Sequence, residues 1–229
     1  MVAFTTLRHA GGSSSAPFDD FNLGERCGDA ELAVAENRAR LISKHVLPSS
    51  PRWLRQVHGT RVITDPGFGE PDADAAVTRT AGTTLAILTA DCLPVVFAAG
   101  DGSEIAAAHA GWRGLAAGIL EATVAAMQTS PDRILAWLGP AAGPQAYEVG
   151  QEVFDTFVAC DARDAEAFQS TRSAHWHVDL YALARRRLAS VGVTNVVGGN
   201  LCTISDPEHF FSYRRDQRTG RMATIVHRR

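Results

Sequence analysis

The stretch "ILTADCLPVVFAA", residues 87–99, decides how the rest of the chain is read. Ile87, Leu88, Val95, Val96 and Phe97 have the character of a buried strand. In its middle stand Asp91 and Cys92, with Pro94 just beyond. A charge and a thiol inside an apolar run are costly unless they act there. The stretch therefore reads as a strand interrupted at a functional point.

Around it the pattern repeats as short apolar runs split by Gly and Pro. "WLRQV" (53–57), "RVIT" (61–64), "AAVT" (75–78), "LAILTA" (85–90) and "PVVFAA" (94–99) read as strands of a mixed sheet. "EIAAAHA" (104–110) is another strand, and "GWRGLAAGILEATVAAMQ" (111–128) becomes a helix. Upstream, Asp29 is placed to cap a helix whose Leu32, Ala35, Ala39, Ile42 and Val46 recur at helical spacing before Pro48.

Downstream, "ILAWLG" (134–139) is a strand, "QEVFDTFVA" (151–159) a short helix, and residues 160–175 a polar surface excursion. Asp179 caps "LYALARRRLASVG" (180–192), with Arg185 to Arg187 facing water and Gly192 ending it. "VTNVV" (193–197) and "FFSYRRDQRTGRMATIVHR" (210–228) read as late strands. Strands and helices mix without strict βαβ alternation, which favours α+β layers with mixed sheets over a doubly wound parallel sheet. No repeat or linker-like composition break divides the chain, so residues 1–229 are expected to form one domain.

At 229 residues such a body buries roughly 70% of its unfolded surface and needs no covalent staples. The chain is 45% hydrophobic and 21% charged, with net charge −3 and Lys44 as its lone lysine. No basic run is long enough to track a phosphate backbone, so nucleic acid is not an expected partner. Asp91, Arg113 and Glu121 interrupt the apolar runs before they reach the ~20 residues of a membrane span. The start, "MVAFTTLRHAGG", lacks the pattern of a secretory signal. Cys27, Cys92, Cys160 and Cys202 therefore read as reduced thiols in a cytoplasmic protein.

Phosphate-loop, dinucleotide, zincin and nucleophile-elbow signatures are absent. What remains is three polar stations, each closing an apolar run: His58 in "LRQVHGT", Asp91-Cys92, and His109 in "AAAHAGWRG". A His/Cys/His set can supply three ligands to a tetrahedral zinc and leave one position for water or substrate. A Cys with one His can instead form a nucleophile–base pair. The gaps from 58 to 92 and from 92 to 109 are long, so spacing alone leaves both site types open.

"QVHGT", "TADCLPV", "HAGWRG", "LGPAAG" and "FFSYRRD…TGR", in this order, resemble the polyphenol-oxidase/laccase-domain family. The early "NLG" and "ENRARL" extend the resemblance over essentially the whole chain. It implies a four-layer α/β/β/α fold similar to the catalytic domain of cytotoxic necrotizing factor. It also implies a zinc-dependent purine nucleoside phosphorylase with adenosine deaminase activity, taking a small-molecule nucleoside and phosphate. Carried over by position, the metal ligands fall on His58, Cys92 and His109. Asn22 matches the family pattern, whereas "ERCGDA" departs from it at Glu25, Arg26 and Cys27.

Zinc lowers the pKa of water to about 7, which suits attack on C6 of adenine. Asp91 is then either a proton shuttle or a carboxylate that holds the loop. Phosphorolysis needs a cationic seat, for which Arg55, Arg113 and Arg214 stand nearest the stations. Tyr213 is placed to stack on a base. Alternative readings are a Cys/His hydrolase or editing enzyme acting on a peptidoglycan precursor, a copper-dependent polyphenol oxidase, and a non-catalytic, metal-stabilised binding module. One mixed N/S site without repeated His pairs favours zinc over copper. A monomer or small homo-oligomer is expected.

Overall fold

The computed structural model describes residues 1–228. Strands β2 (Val62–Thr64), β3 (Ala75–Thr78), β5 (Leu93–Ala99), β6 (Ile105–Ala110), β7 (Ile134–Leu138) and β11 (Asn195–Gly198) form the largest sheet. Their order is β11-β7-β5-β6-β3-β2. The four central strands pair antiparallel, and a parallel pair closes each edge. The sheet is therefore mixed, as the sequence pattern requires.

Alternation along the central strands sorts side chains to two faces. Leu93, Val95 and Phe97 of β5, with Ala106, Ala108 and Ala110 of β6, share a core with four helices. These are α2 (Trp112–Ala117), α3 (Ile119–Ala126), α4 (Gln151–Cys160) and α5 (Leu180–Ser190). Val96, Ala98, Ile105 and Ala107 face the other way and pack on Leu85, Ile87 and Val226. Those three belong to a second, antiparallel sheet in which β12 (Met222–His227) lies between β1 (Val2–Thr5) and β4 (Thr84–Thr89). The outer face of this sheet, with Ala86, Ala223 and Ile225, meets Leu41 of helix α1 (Glu31–His45). The stack is α/β/β/α, an α+β fold.

Several local expectations are corrected. Helix α1 does not bury the apolar positions that helical spacing selects: Leu32 and Val46 are 72% and 83% exposed. It buries Val34, Asn37 and Leu41 instead. Asn37 serves as a polar bolt, its amide binding Ser14 Oγ and Asn22 O while its oxygen accepts from Ser13 N. Asp29 does not cap α1, because its carboxylate is already taken by Ser14 Oγ and the Asn22 amide.

"WLRQV" is no strand: its one ladder contact is an isolated bridge between Arg55 and Asp72. The helix over 111–128 breaks into α2 and α3 at Gly118, whose φ of 97° is left-handed. The polar excursion is ordered as β9 (Phe168–Arg172) and the first part of β10 (His175–Val178), which join β8 (Glu148–Gly150) in a third sheet. "YRRD" forms one helical turn, α6 (Tyr213–Asp216), capped by Ser212. Arg187 is not a wet side chain: it is largely buried against Asp164. Asp179 does cap α5, accepting from Ala182 N.

Candidate metal centre

The ladder between β5 and β6 sets Pro94 opposite His109. Cys92, just before β5, and His109, near the end of β6, are thereby brought side by side. His58 arrives from the other direction on the segment before β2. Gln56 anchors that segment by pairing with both backbone groups of Leu88, its Nε2 donating to the carbonyl and its Oε1 accepting from N–H. One donor atom from each of His58, Cys92 and His109 lies within 4.8 Å of the others. Cys92 Sγ is 3.7 Å from His58 Nε2, and the two imidazoles meet edge to face at 4.7 Å.

Asp74, just before β3, is fully buried and organises this cluster. Its carboxylate lies 2.8 Å from His109 Nδ1 and accepts from the backbone N–H of Val57, His58 and Gly59. With Nδ1 committed to a carboxylate, Nε2 is the nitrogen of His109 left to face Cys92. Burial alone would push the Asp74 acid up, but the His109 bond and the backbone donors hold it below the usual carboxylate range. Burial would also raise the Cys92 thiol, yet the His109 charge and bonds from both imidazoles bring it down to about 6. His109 moves oppositely: burial lowers it, but Cys92 and Asp74 raise it to about 9.

Two imidazoles and a thiol held in the thiolate range are the donor set of a borderline-soft divalent ion. Backbone shape fits the same purpose. A Cβ at Gly111 would sit 2.7 Å from His58 Cδ2 and 3.1 Å from Cys92 Sγ, so only glycine lets the three side chains converge. Among the described residues this is the single His/Cys/Asp/Glu group close enough to hold a metal ion.

Asp91 stands beside Cys92 in a left-handed conformation, φ 87°. Its carboxylate accepts from Thr203 Oγ1 at 2.6 Å, Ser212 Oγ at 3.0 Å and Arg214 N at 2.6 Å. Its carbonyl accepts from Ala142 N. These contacts reach Ala142, Thr203 and the start of α6, so Asp91 ties the Cys92 turn to the C-terminal segment.

The cluster lies in a cleft of about 390 Å³ whose walls include Cys27, Arg38, Leu54, Arg55, Leu88 and Tyr213. Arg55 is tied to Asp72 by a bidentate ion pair. Tyr213, 57% exposed, stands at the wall near the rim. Asn22 is buried behind the loop, where its amide binds Gly24 O, Cys27 Sγ and Asp29. Arg113 and Arg214 line a second cavity of about 280 Å³ with Tyr147, Trp112, Arg172 and His175. Arg214 stacks on Tyr147 and donates to Glu148 O, while Arg113 lies over Trp112. Tyr147, in the wall of the second cavity, feels the charges of Cys92 and Asp91 as well as those of both arginines. Sequence reasoning missed Asp74, Gln56 and Thr89, although Gln56 and Thr89 stand inside the quoted motifs "QVHGT" and "TADCLPV".

Fold and cluster together describe an α+β protein with a candidate metal site in a surface cleft. The same architecture extends over a known family. Residues 2–229 match the family described as multi-copper polyphenol oxidoreductase laccase, and the chain belongs to it. A Xylella fastidiosa (strain Temecula1) protein named purine nucleoside phosphorylase is 57% identical over 99% of this chain and 92% of its own length. Purine nucleoside phosphorylase YfiH of Escherichia coli K12 is 51% identical over 98% of this chain and 93% of its own.

Among solved structures, a Neisseria meningitidis protein superposes with a TM-score of 0.93 at 45% identity, covering 97% of this chain and 92% of that one. YlmD from Geobacillus stearothermophilus gives 0.91 at 32% identity, covering 100% and 92%. No helix among the described residues is long and apolar enough to cross a membrane.

Proposed function

We propose that the chain is a zinc-dependent purine nucleoside phosphorylase that also deaminates adenosine, the whole chain acting as one catalytic domain. The observation that carries this is the convergence of His58, Cys92 and His109 in a nucleoside-sized cleft. Whole-length relatives named purine nucleoside phosphorylase support the substrate class. Zinc, when bound, supplies a Lewis acid that activates water or polarises an oxygen near neutral pH. Copper is the less suited ion, because the described residues offer one mixed N/S cluster without a second histidine group.

The chain's own residues divide the remaining work. In phosphorolysis a phosphate oxygen bonds to ribose C1′ while the glycosidic bond breaks and the purine leaves with its electron pair. Arg113 and Arg214 supply guanidinium donors for that phosphate in the second cavity. Tyr213 offers a ring face at the cleft wall. Deamination replaces the 6-amino group by oxygen from water and releases ammonia. Asp74 keeps His109 oriented throughout, and Asp91 holds the Cys92 turn, as its three engaged donors indicate. The test is to incubate zinc-loaded protein with adenosine and phosphate and assay adenine, ribose-1-phosphate and inosine. No turnover by protein shown to hold zinc would falsify the proposal.

A second reading rests on one observation: Cys92, His109 and Asp74 are also arranged as nucleophile, base and orienting acid. It makes the protein a Cys/His hydrolase, for example one acting on an amide-containing peptidoglycan precursor. Covalent trapping of Cys92 by an electrophilic substrate analogue in active, metal-free protein would favour it.

A further inference from the structure

Thr89 ends β4, three residues before Cys92, and lines the same cleft. Its side chain follows the inward parity of Leu85 and Ile87 and is 2% exposed. Its hydroxyl has no hydrogen-bond partner. Leaving a buried hydroxyl unpaired is unfavourable, and an isosteric Val would avoid the penalty. Apart from Tyr213 near the rim, the polar walls of the cleft are mostly engaged. Gln56 is spent on Leu88, Arg55 on Asp72, Arg221 on the Thr219 and Gly220 carbonyls, and Cys27 on Gly24 O. Arg38 also has one free nitrogen, but its guanidinium is shared between Glu25 and Glu70 and lies over Trp53.

We propose that the Thr89 hydroxyl is the group that reads the C6 substituent of a bound purine, accepting from the 6-amino group of adenine and donating to the 6-oxo group of hypoxanthine. The inference deepens the purine nucleoside reading and rests on it. Leu54, Leu88 and Ala90 give the surrounding wall an apolar surface suited to a flat base. A hydroxyl rotates to donate or to accept, unlike a carboxylate or a guanidinium. One unpaired Thr therefore admits both 6-amino and 6-oxo purines while rejecting a base with neither, because that base leaves the hydroxyl unpaired.

The test compares zinc-loaded wild type, Thr89→Val and Thr89→Ser on adenosine, inosine and purine riboside, which lacks a C6 substituent. Wild type should show a KM for purine riboside roughly tenfold above those for the other two, the scale of one hydrogen bond. Thr89→Val should raise KM for adenosine and inosine by about the same factor, leave purine riboside unchanged, and melt no lower than wild type. Thr89→Ser should restore discrimination.

An equal loss on all three substrates, or none, overturns the assignment. So does a Thr89→Val penalty that disappears with 2′- or 3′-deoxyadenosine, which would place the hydroxyl on the sugar. A Thr89→Val protein that melts well below wild type shows that the hydroxyl has a partner within the protein, and overturns it too. Purine turnover by wild type with an indistinguishable Thr89→Val defeats this inference alone. Absence of purine turnover in wild type defeats the functional reading and this inference with it.

Discussion

The Asp74 carboxylate lies 2.8 Å from His109 Nδ1 and receives the backbone N–H of His58 at 2.9 Å. One buried acid thus positions two of the three candidate metal donors, the first through its ring and the second through its main chain.

Replacing Asp74 with Asn should therefore weaken metal binding without touching any ligand. An amide nitrogen facing Nδ1 favours the tautomer that protonates Nε2, and loss of such an orienting acid typically costs 10–100-fold in metal affinity. Zinc competition against a chromophoric chelator measures it. An unchanged affinity would show that His109 does not depend on Asp74.

In the metal-free protein Cys92 should alkylate at unusually low pH. With its thiol held near 6, the iodoacetamide rate should reach half its maximum near pH 6, against ~8.5 for an ordinary peptide thiol. His109→Ala should move the midpoint upward. Stability should respond far less, because the two groups act with opposite sign. As pH rises between the folded and unfolded pKa values, the depressed thiol gains stability for the fold, whereas the raised His109 loses it.

Gly111→Ala should reduce zinc affinity with little change in the far-UV spectrum. The new methyl would press on His58 Cδ2 at 2.7 Å and on Cys92 Sγ at 3.1 Å, separating donors while leaving the sheet intact. Metal retention after gel filtration reads the loss directly.

Asp91→Ala should destabilise the fold by about 3 kcal/mol, since it removes a charged acceptor and strands the buried donors of Thr203 and Ser212. Equilibrium urea unfolding gives the value. A proton shuttle alone would lose activity with stability preserved, so the two measurements separate the roles.

Arg214→Ala and Arg113→Ala should raise the KM for phosphate at least tenfold while largely sparing phosphate-independent deamination. If both reactions fall together, the second cavity is not a phosphate seat.

The candidate metal cluster was legible in the sequence because each donor ends an apolar run, and a polar residue there stands out against its neighbours. Asp74 was not, since "DADAAV" carries no sign of a partner 35 residues later in the chain. The strands 75–78, 94–99 and 104–110 were readable because both faces are buried, which leaves an uninterrupted apolar run. Helix α1 misled for the reverse reason. Polar contacts through Asn37 decide its orientation, and periodicity of apolar residues cannot register them. The polar segment 160–175 read as a surface excursion because the small sheet it helps build is partly exposed and lacks a strong alternating pattern.

Asp91 draws its partners from residues 112, 121 and 123 positions later in the chain. During synthesis the ribosome releases His58, Cys92 and His109 long before Thr203, Ser212 and Arg214 emerge. A nascent chain therefore displays all three donors while the turn that aims Cys92 still lacks its tether. Closure of the His58, Cys92 and His109 cluster in its final geometry is consequently a late event, delayed until Thr203, Ser212 and Arg214 have emerged.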